Sequence, residues 1–590
     1  MTREGPESVV ELSSTQKGIL FHALYAADSP VYRVQSVFTI EGEVDVAAFQ
    51  CAWQRVVDRH QALRCSFFWE GLSVPVQAVH RRVDFSVGHV DYSALDPAER
   101  EQRLVKLLAE DRSRPFDLLQ PPQMRVTLVR VGVAQHELVW TRHHVIFDGW
   151  SQALLLQELF RLYELYRLGE ADDFDEQSVL GPPTLLAPYS QWVRQSVKHE
   201  LDSFWRPYLQ GFTEAVDIAS RSPDTAAPAR QAELSRNLSE QQGHSVAELA
   251  RRWAVTTSTM FVAAWALVLS LMTGRRDIVF GLTLAGRPAG LPGVEQMIGM
   301  FINTLPIRVQ VDASAPLETL VRTAQEHVAA LTERQHTPLV DIQGISEIPS
   351  PGRLLGSALV VGNYPTDFRR LEHESSLAAT AVRGEVQNSF PITLRLMPGP
   401  TTRVALLYDE SAFGPAHVTH LLDALLYLIA SFGADGHRTV GAFLDELSEG
   451  RRSAVDQGAL DGEKLLPRGW STPAAMPHAP PITAVERTIA HVWGELLSAP
   501  QVGLHDDFFA LGGHSLLAIR CVSQLRTILQ TDLPLRTIFE APVLQDLAAA
   551  LVESDGDRVE RAAEIYLEVE SMSPERVAAE LEGLQGDLRG

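Results

Sequence analysis

Between about residues 12 and 410 the chain alternates strand-like and helix-like apolar patterns, and this alternation restricts the fold more than any other feature. Eight segments read as strands: "VYRVQSVFTIEG", "MRVTLVRVG", "HELVWTRHHV", "DIVFGLTLAG", "TLPIRVQVD", "GSALVVGNY", "PITLRLMPG" and "TRVALLYD". Helical spacing lies between them. "DVAAFQCAWQRVVDRH" puts Val46, Phe49, Trp53 and Val56 or Val57 on one face. Interleaved elements of this kind predict an α/β protein with large sheets rather than a bundle or a sandwich. The longest apolar run, "MFVAAWALVLSLM" (260–272), is too short to cross a bilayer and reads as a buried helix.

The pattern stops after about residue 450. "EGRRSAVDQGALDGEKLLPRGWSTPAAMPHAPP" has no periodicity and is rich in Pro, Gly, Ala and charge, so 448–480 is expected to be a linker. The stretch 481–555 is compact and helical, with "AVERTIAHVWGELL", "SLLAIRCVSQLRTIL" and "VLQDLAAALV". The final 40 residues hold 11 acidic residues against 4 Arg, and 556–590 reads as a solvated, partly helical tail in which Ser573 precedes Pro574 at a helix start. A chain of 590 residues exceeds one core. Its net charge of −23 weighs against nucleic acid or an anionic membrane as partner. Cys51, Cys65 and Cys521 are far apart and form no CxxC pair, so neither a disulfide framework nor a zinc site is expected. The N-terminus has no apolar signal core, and the expectation is a cytoplasmic protein.

Two short stretches carry chemistry. In "TRHHVIFDGWS" (141–151) a strand gives way to a strongly helical segment, with Ser151 the expected N-cap and Asp148-Gly149 in the turn. Adjacent strand residues point to opposite faces, so one of His143 and His144 can face a cleft. The pair cannot easily converge on one ion, and no Cys or Glu cluster lies nearby, so no metal is expected. A packed core histidine and a turn cap are the plainer accounts of His143 and Asp148. A neutral imidazole with pKa near ~6.5 can move a proton near neutral pH. In "DDFFALGGHSLLAIR" (506–520), Ser515 opens a helix whose Leu516, Ile519, Val522, Leu525 and Leu529 share one face. Serine is common as an N-cap, and "GHS" lacks the second glycine of a hydrolase nucleophile elbow.

"RHHVIFDGWS" resembles the HHxxxDG motif of nonribosomal peptide synthetase condensation domains, in the superfamily that includes chloramphenicol acetyltransferase. Further motifs follow in that family's order: "LSSTQKGILFHAL", "RHQALRCSF", "PYSQWVRQ" with "FWRPYLQGF", "VFGLTLAGRP", "IGMFINTLPIR", "HTPLVDIQ" and "VVGNYP". Leu354-Leu355 departs from it, standing where the family often shows Phe-Asp. The resemblance implies an α/β two-lobed, chloramphenicol acetyltransferase-like condensation domain over 8–447, with lobes at about 8–180 and 185–447 and a tunnel between them. His144 is the implied catalytic residue, hydrogen-bonded to the attacking amine as general base or as electrostatic stabiliser. His143, Asp148, Gly149 and Arg287 take structural parts. Asp148 would hold the turn through a buried ion pair with Arg287, or failing that with Arg64.

The second stretch resembles the attachment motif of peptidyl carrier proteins, which implies a small all-α four-helix carrier domain over 481–555. Phosphopantetheine would be joined to Ser515 by a phosphodiester, a group that a helix N-terminus suits. Ser515 is then a tether and not a nucleophile. No Gly/Ser/Thr-rich phosphate loop and no adenylation domain are found, so an adenylation enzyme in trans is expected to load the arm. The first motif begins near residue 12, so the acyl group is expected from an upstream donor carrier protein or another acyl thioester. A phosphopantetheinyl transferase is a further implied partner, and the acidic tail a docking segment for a downstream synthetase. The implied reaction forms an amide between the incoming acyl group and an amine on the chain's own arm, in antibiotic or other secondary-metabolite biosynthesis. Two alternatives stay open: a free amine or alcohol acceptor with the carrier as donor, and a non-catalytic recruitment platform. The presence of His144, Asp148 and Gly149 weighs against the platform.

Overall fold

All eight strand-like segments become strands of two large sheets. A computed structural model of the chain describes residues 5–445 and 479–572, apart from 26–31, 171–179, 182, 197–199, 220–230, 289, 349–352, 363–375, 386–389, 399–400, 433–438, 443, 498, 500, 509–510, 512–514, 535–536 and 571. A small sheet joins β1 (Ser8–Glu11), β3 (Cys65–Phe68) and β4 (Val76–Val79) in the order β1-β4-β3. The first-lobe sheet contains β2 (Arg33–Glu41), β5 (Val87–Asp91), β6 (Met124–Arg130), β7 (Gln135–His143) and β12 (Ala378–Glu385), ordered β12-β2-β7-β6-β5. The second-lobe sheet contains β8 (Gln231–Asn237), β9 (Asp277–Leu284), β10 (Asn303–Gln310), β11 (Ser357–Val361), β13 (Ile392–Met397) and β14 (Arg403–Asp409), ordered β10-β9-β11-β13-β14-β8.

The lobes are not consecutive in sequence, which corrects the division at about 180–185. Strand β12 crosses from the second half to pair antiparallel with β2, placing Arg383 opposite Val37 and Glu385 opposite Gln35. Without it, β2 would expose a row of unpaired backbone groups. Val294, Met297, Ile298, Met300 and Phe301 likewise pack into the first-lobe core.

On the first sheet lie α1 (Ser14–Tyr25), α2 (Val46–Arg59) and α3 (Gly149–Leu168). Asp45 caps α2, accepting from the Ala47 and Ala48 amides, and Trp53 meets Trp140 of β7 edge-on at 5.0 Å. On the second sheet, α4 (Thr257–Thr273) and α5 (Pro415–Ser431) supply the core. Residues Met260 to Leu269 of α4 are buried all round, which explains a helix apolar on every face. No single helix among the described residues is long and apolar enough to cross a membrane. Leu354 and Leu355, the departure from the motif, are buried members of the same core.

The carrier segment has α6 (Ala484–Leu497), α7 (Ser515–Leu529), a short helix Thr537–Glu540 and α8 (Leu544–Glu570). Trp493, Leu525, Leu529, Leu547 and Leu551 form its core. The boundary drawn at 555/556 falls inside α8. Val559 and Ala563 are fully buried in the carrier core, so their apolar spacing outweighs the acidic composition around them. Ser573 and the rest of the tail, like the linker up to 478, lie outside the described residues.

Candidate active site

Strand β7 ends at His143 and α3 begins at Gly149, so the motif is a strand-to-helix turn. Its N-cap is Asp148, whose Oδ1 accepts from the Ser151 amide at 2.9 Å. Ser151, the expected cap, is instead the third residue of the helix. Its hydroxyl donates to the Gly299 carbonyl at 3.0 Å and accepts from Arg287 at 2.9 Å. As a helical residue Gly149 needs no left-handed angle; it forms part of the wall of the cavity between the lobes.

The two histidines diverge. His143 turns into the protein, with its ring edge-on to Phe116 and its Nδ1 accepting from the Val145 amide at 3.3 Å. Burial, then the neighbouring His144 and Arg33, push its pKa down to about 3. His144 is half-buried and lines the cavity. Its amide donates to the Tyr32 carbonyl at 2.7 Å, and its Nδ1 lies 3.1 Å from the Phe147 carbonyl oxygen. A carbonyl can only accept, so Nδ1 carries the hydrogen and the lone pair resides on Nε2. Burial, then the charge of Arg142, hold His144 down at about 4. At neutral pH the ring is therefore an uncharged acceptor.

Asp148 is completely buried and faces away from that chemistry. Its Oδ2 accepts from the amides of Phe301 at 3.1 Å and Ile302 at 3.3 Å, and its own amide donates to the Gly299 carbonyl at 3.2 Å. Arg287 Nη2 stands 3.4 Å from Asp148 Oδ1. The same guanidinium donates to the Val294 and Met297 carbonyls at 2.5 and 2.8 Å and lies over the Phe301 ring. Gly286, with φ +65°, lets the Phe301 carbonyl approach where any side chain would collide. Arg64 is engaged elsewhere, 2.8 Å from Glu7. The turn is thus sewn to the 294–302 segment, and backbone amides are closer partners of Asp148 than the arginine.

The cavity measures about 1420 Å³. The first lobe supplies Tyr32, Ser36, Arg142 and His144, and the second supplies Asn303 and Arg395 among others. Arg142 and His22, which the sequence motifs contain but assign no part, also line the cavity. Arg142 sits two residues before His144, so strand alternation was the available signal. Its guanidinium lies 4.8 Å from the centre of the Phe147 ring, and Nη1 is 3.3 Å from Ser36 Oγ.

Ser515 is the first residue of α7; Gly512, Gly513 and His514 lie outside the described residues. The opening amides of a helix have no partner within it, so this position fits an anionic phosphodiester. Helix α7 packs against α1 of the first lobe. Phe21 of α1 is a member of the carrier's core cluster, Leu24 and Trp69 pack beside it, and Arg526 stands 3.6 Å from Glu70. Phe21 and His22 also line the cavity that holds His144.

Comparison with known proteins decides the family. Residues 6–446 match the model described as "Condensation domain", and residues 487–551 match "Phosphopantetheine attachment site". The chain belongs to the condensation-domain family. As a condensation domain followed by a carrier, it is of the nonribosomal peptide synthetase type, an acyltransferase of the amide-forming class, and its carrier takes phosphopantetheine on a serine. This condensation domain is similar to a linear gramicidin synthase of Brevibacillus parabrevis, 37% identical over 431 residues, covering 72% of this chain and 6% of that one. A plipastatin synthase of Bacillus subtilis (strain 168) is 32% identical over 441 residues, covering 72% and 12%. The chain therefore spans a small fraction of these relatives. In fold it is similar to the starter condensation domain of rhizomide synthetase in complex with C8-CoA (TM-score 0.62, 21% identity, 73% of this chain and 96% of that one). The first condensation domain of the calcium-dependent antibiotic synthetase gives 0.60, 20%, 74% and 98%.

Proposed function

We propose that this condensation domain joins an acyl or aminoacyl thioester, brought by another polypeptide, to an amine held on the chain's own phosphopantetheine arm at Ser515. One observation carries the reading: α7, which begins at Ser515, packs on α1, and α1 lines the cavity of His144. When bound, phosphopantetheine supplies a terminal thiol on a long arm that holds a substrate as thioester. The His144 Nε2 lone pair accepts a hydrogen bond from the attacking amine and takes its proton as the C–N bond forms. The Nδ1–H bond to the Phe147 carbonyl fixes which nitrogen faces the cavity. Asp148, Arg287 and Ser151 position that turn and touch no substrate. In the overall reaction the C–S bond breaks, and the proton lost by the amine balances the thiolate released.

Loading in trans is part of the proposal. Only residues 447–486 separate the two family matches, too few for an adenylation domain between them. A phosphopantetheinyl transferase would install the arm, and a separate adenylating enzyme would charge it. The acidic C-terminal end is offered as a docking segment for a downstream synthetase, attracting a basic surface in a salt-sensitive way.

The test loads apo protein with an aminoacyl-phosphopantetheine arm from synthetic aminoacyl-coenzyme A through a phosphopantetheinyl transferase, adds an acyl thioester and weighs the intact protein. An amide on Ser515 is the expected product. Amide or ester appearing only in solution would favour a free acceptor, and loading by ATP and amino acid alone would overturn supply in trans.

A further inference from the structure

Part of the second-lobe wall of the cavity is one face of its sheet. Residues of β8, β13 and β14 alternate, so that Ile392, Leu394, Val404 and Leu406 enter the core while Arg395, Arg403, Glu233 and Ser235 line the cavity. Arg395 Nη2 lies 2.7 Å from Glu233 Oε2, and Arg403 Nη2 lies 2.5 Å from Oε1. One carboxylate thus serves two guanidinium groups, and the cluster carries a net charge of one. The Arg395 side chain is 20% exposed and its Nε is buried without a hydrogen-bond partner, whereas Arg403 is 47% exposed. The cluster runs from the cavity wall out to solvent. Among the described residues, no member of the carrier's core cluster or its packing shell comes from β8, β13 or β14. The chain's own carrier stands against the other lobe.

A guanidinium fork matches the oxygens of a phosphate or a carboxylate, and a partly desolvated one favours an anion strongly. An acyl group delivered on a carrier always arrives with the phosphodiester of its arm. We infer that Arg395 and Arg403 form an anion subsite at the entrance used by the incoming acyl thioester, where they hold the phosphodiester of the donor arm. The inference rests on the proposed delivery of the acyl group by another polypeptide. A carboxylate within the acyl group offers the same chemistry, and the test separates the two sources.

Full-length apo protein is titrated calorimetrically with three non-hydrolysable thioethers: an alkyl 4′-phosphopantetheine, the same compound without phosphate, and a phosphate-free one ending in a carboxylate. The phosphate probe should bind about tenfold tighter than its phosphate-free counterpart, in a salt-sensitive manner. Arg395→Met and Arg403→Met should each remove most of that difference. Glu233→Gln should tighten binding, because the competing carboxylate is gone. A carboxylate probe that alone loses affinity in Arg395→Met would assign the subsite to the acyl group. Indifference of all three probes to Arg395→Met and Arg403→Met overturns the subsite. So does weaker phosphate binding in a folded Glu233→Gln protein, which would make the cluster a strand brace. If Arg395→Met does not fold, the more exposed Arg403→Met carries the comparison. These titrations need no turnover, so a failed catalytic reading would register in product formation and a failed subsite in binding.

Discussion

The His144 turn and the Ser515 helix start are the two places where, in the proposed reaction, this chain meets its substrates, and they are built in opposite ways. The His144 turn is held by buried hydrogen bonds: Asp148 alone accepts from three backbone amides and an arginine. Ser515 opens a helix of a small domain that touches the condensation domain through the α1 contact, Trp69 and the surface pair Arg526–Glu70. An exposed pair of that kind contributes about 0–1 kcal/mol. The contrast teaches what each job requires. Proton handling needs an imidazole fixed to a fraction of an ångström, whereas a tether has to leave one partner to meet the next.

The largest effect is expected at the tether. Ser515→Ala should abolish addition of phosphopantetheine, and with it any product on the chain's own arm, with no change in melting. Modification at another serine, seen by peptide mass, would break the comparison at once. His144→Ala comes next: turnover should fall by ~10²–10⁴-fold while loading and melting stay normal. Near-normal turnover would sink the assignment.

At Asp148 the expected loss is structural. Asp148→Ala leaves the amides of Ser151, Phe301 and Ile302 without their acceptor and Arg287 without its counter-charge, which should cost about 3–5 kcal/mol in denaturant unfolding. An inactive protein of full stability would instead put Asp148 in the chemistry.

Acid sharpens the contrast further. His143 and His144 hold their protons with pKa about 3 and about 4 in the folded chain, against ~6.5 unfolded. Below pH ~6.5 the unfolded chain binds more protons, so their contribution to stability is full above that value and lost as pH falls toward 3–4. The condensation domain should therefore lose stability across this window, and His144 should add no inflection near pH 6.5 to the rate. An inflection there would mean that His144 is not held neutral. The smallest effect belongs to the carrier contact. Glu70→Lys should slow transfer onto the chain's own arm by at most about fivefold. It should leave a free aminoacyl pantetheine unaffected as acceptor; equal slowing of both would show that the contact is not a delivery surface.

Much of this was legible in the sequence, because the features concerned are local. Strand periodicity located eight of the eleven strands in the two large sheets, and the turn motif placed His143 and His144 on opposite faces. The Asp148–Arg287 pairing, 139 residues apart in the chain, is not local and was implied by the family resemblance alone. What stayed hidden depends on distant partners. "QAELSRN" and "AATAVRGE" are weakly alternating and become β8 and β12 only because a sheet edge awaits each. Asp148 rather than Ser151 caps α3 because Gly299 and Arg287 claim the serine hydroxyl. The reach of α8 past residue 555 is set by two small buried side chains, which a charge count cannot register.

The exchange of β12 into the first-lobe sheet has a consequence for anyone who cuts this gene. A graft that swaps one lobe at residue 180 would also carry off the edge strand of the lobe left behind, together with the 294–301 plug in its core. The separated halves would each expose a sticky edge or a greasy hole. In practical terms an exchange of one lobe leaves both sheets covered only if β12 and the 294–301 segment travel with the first lobe.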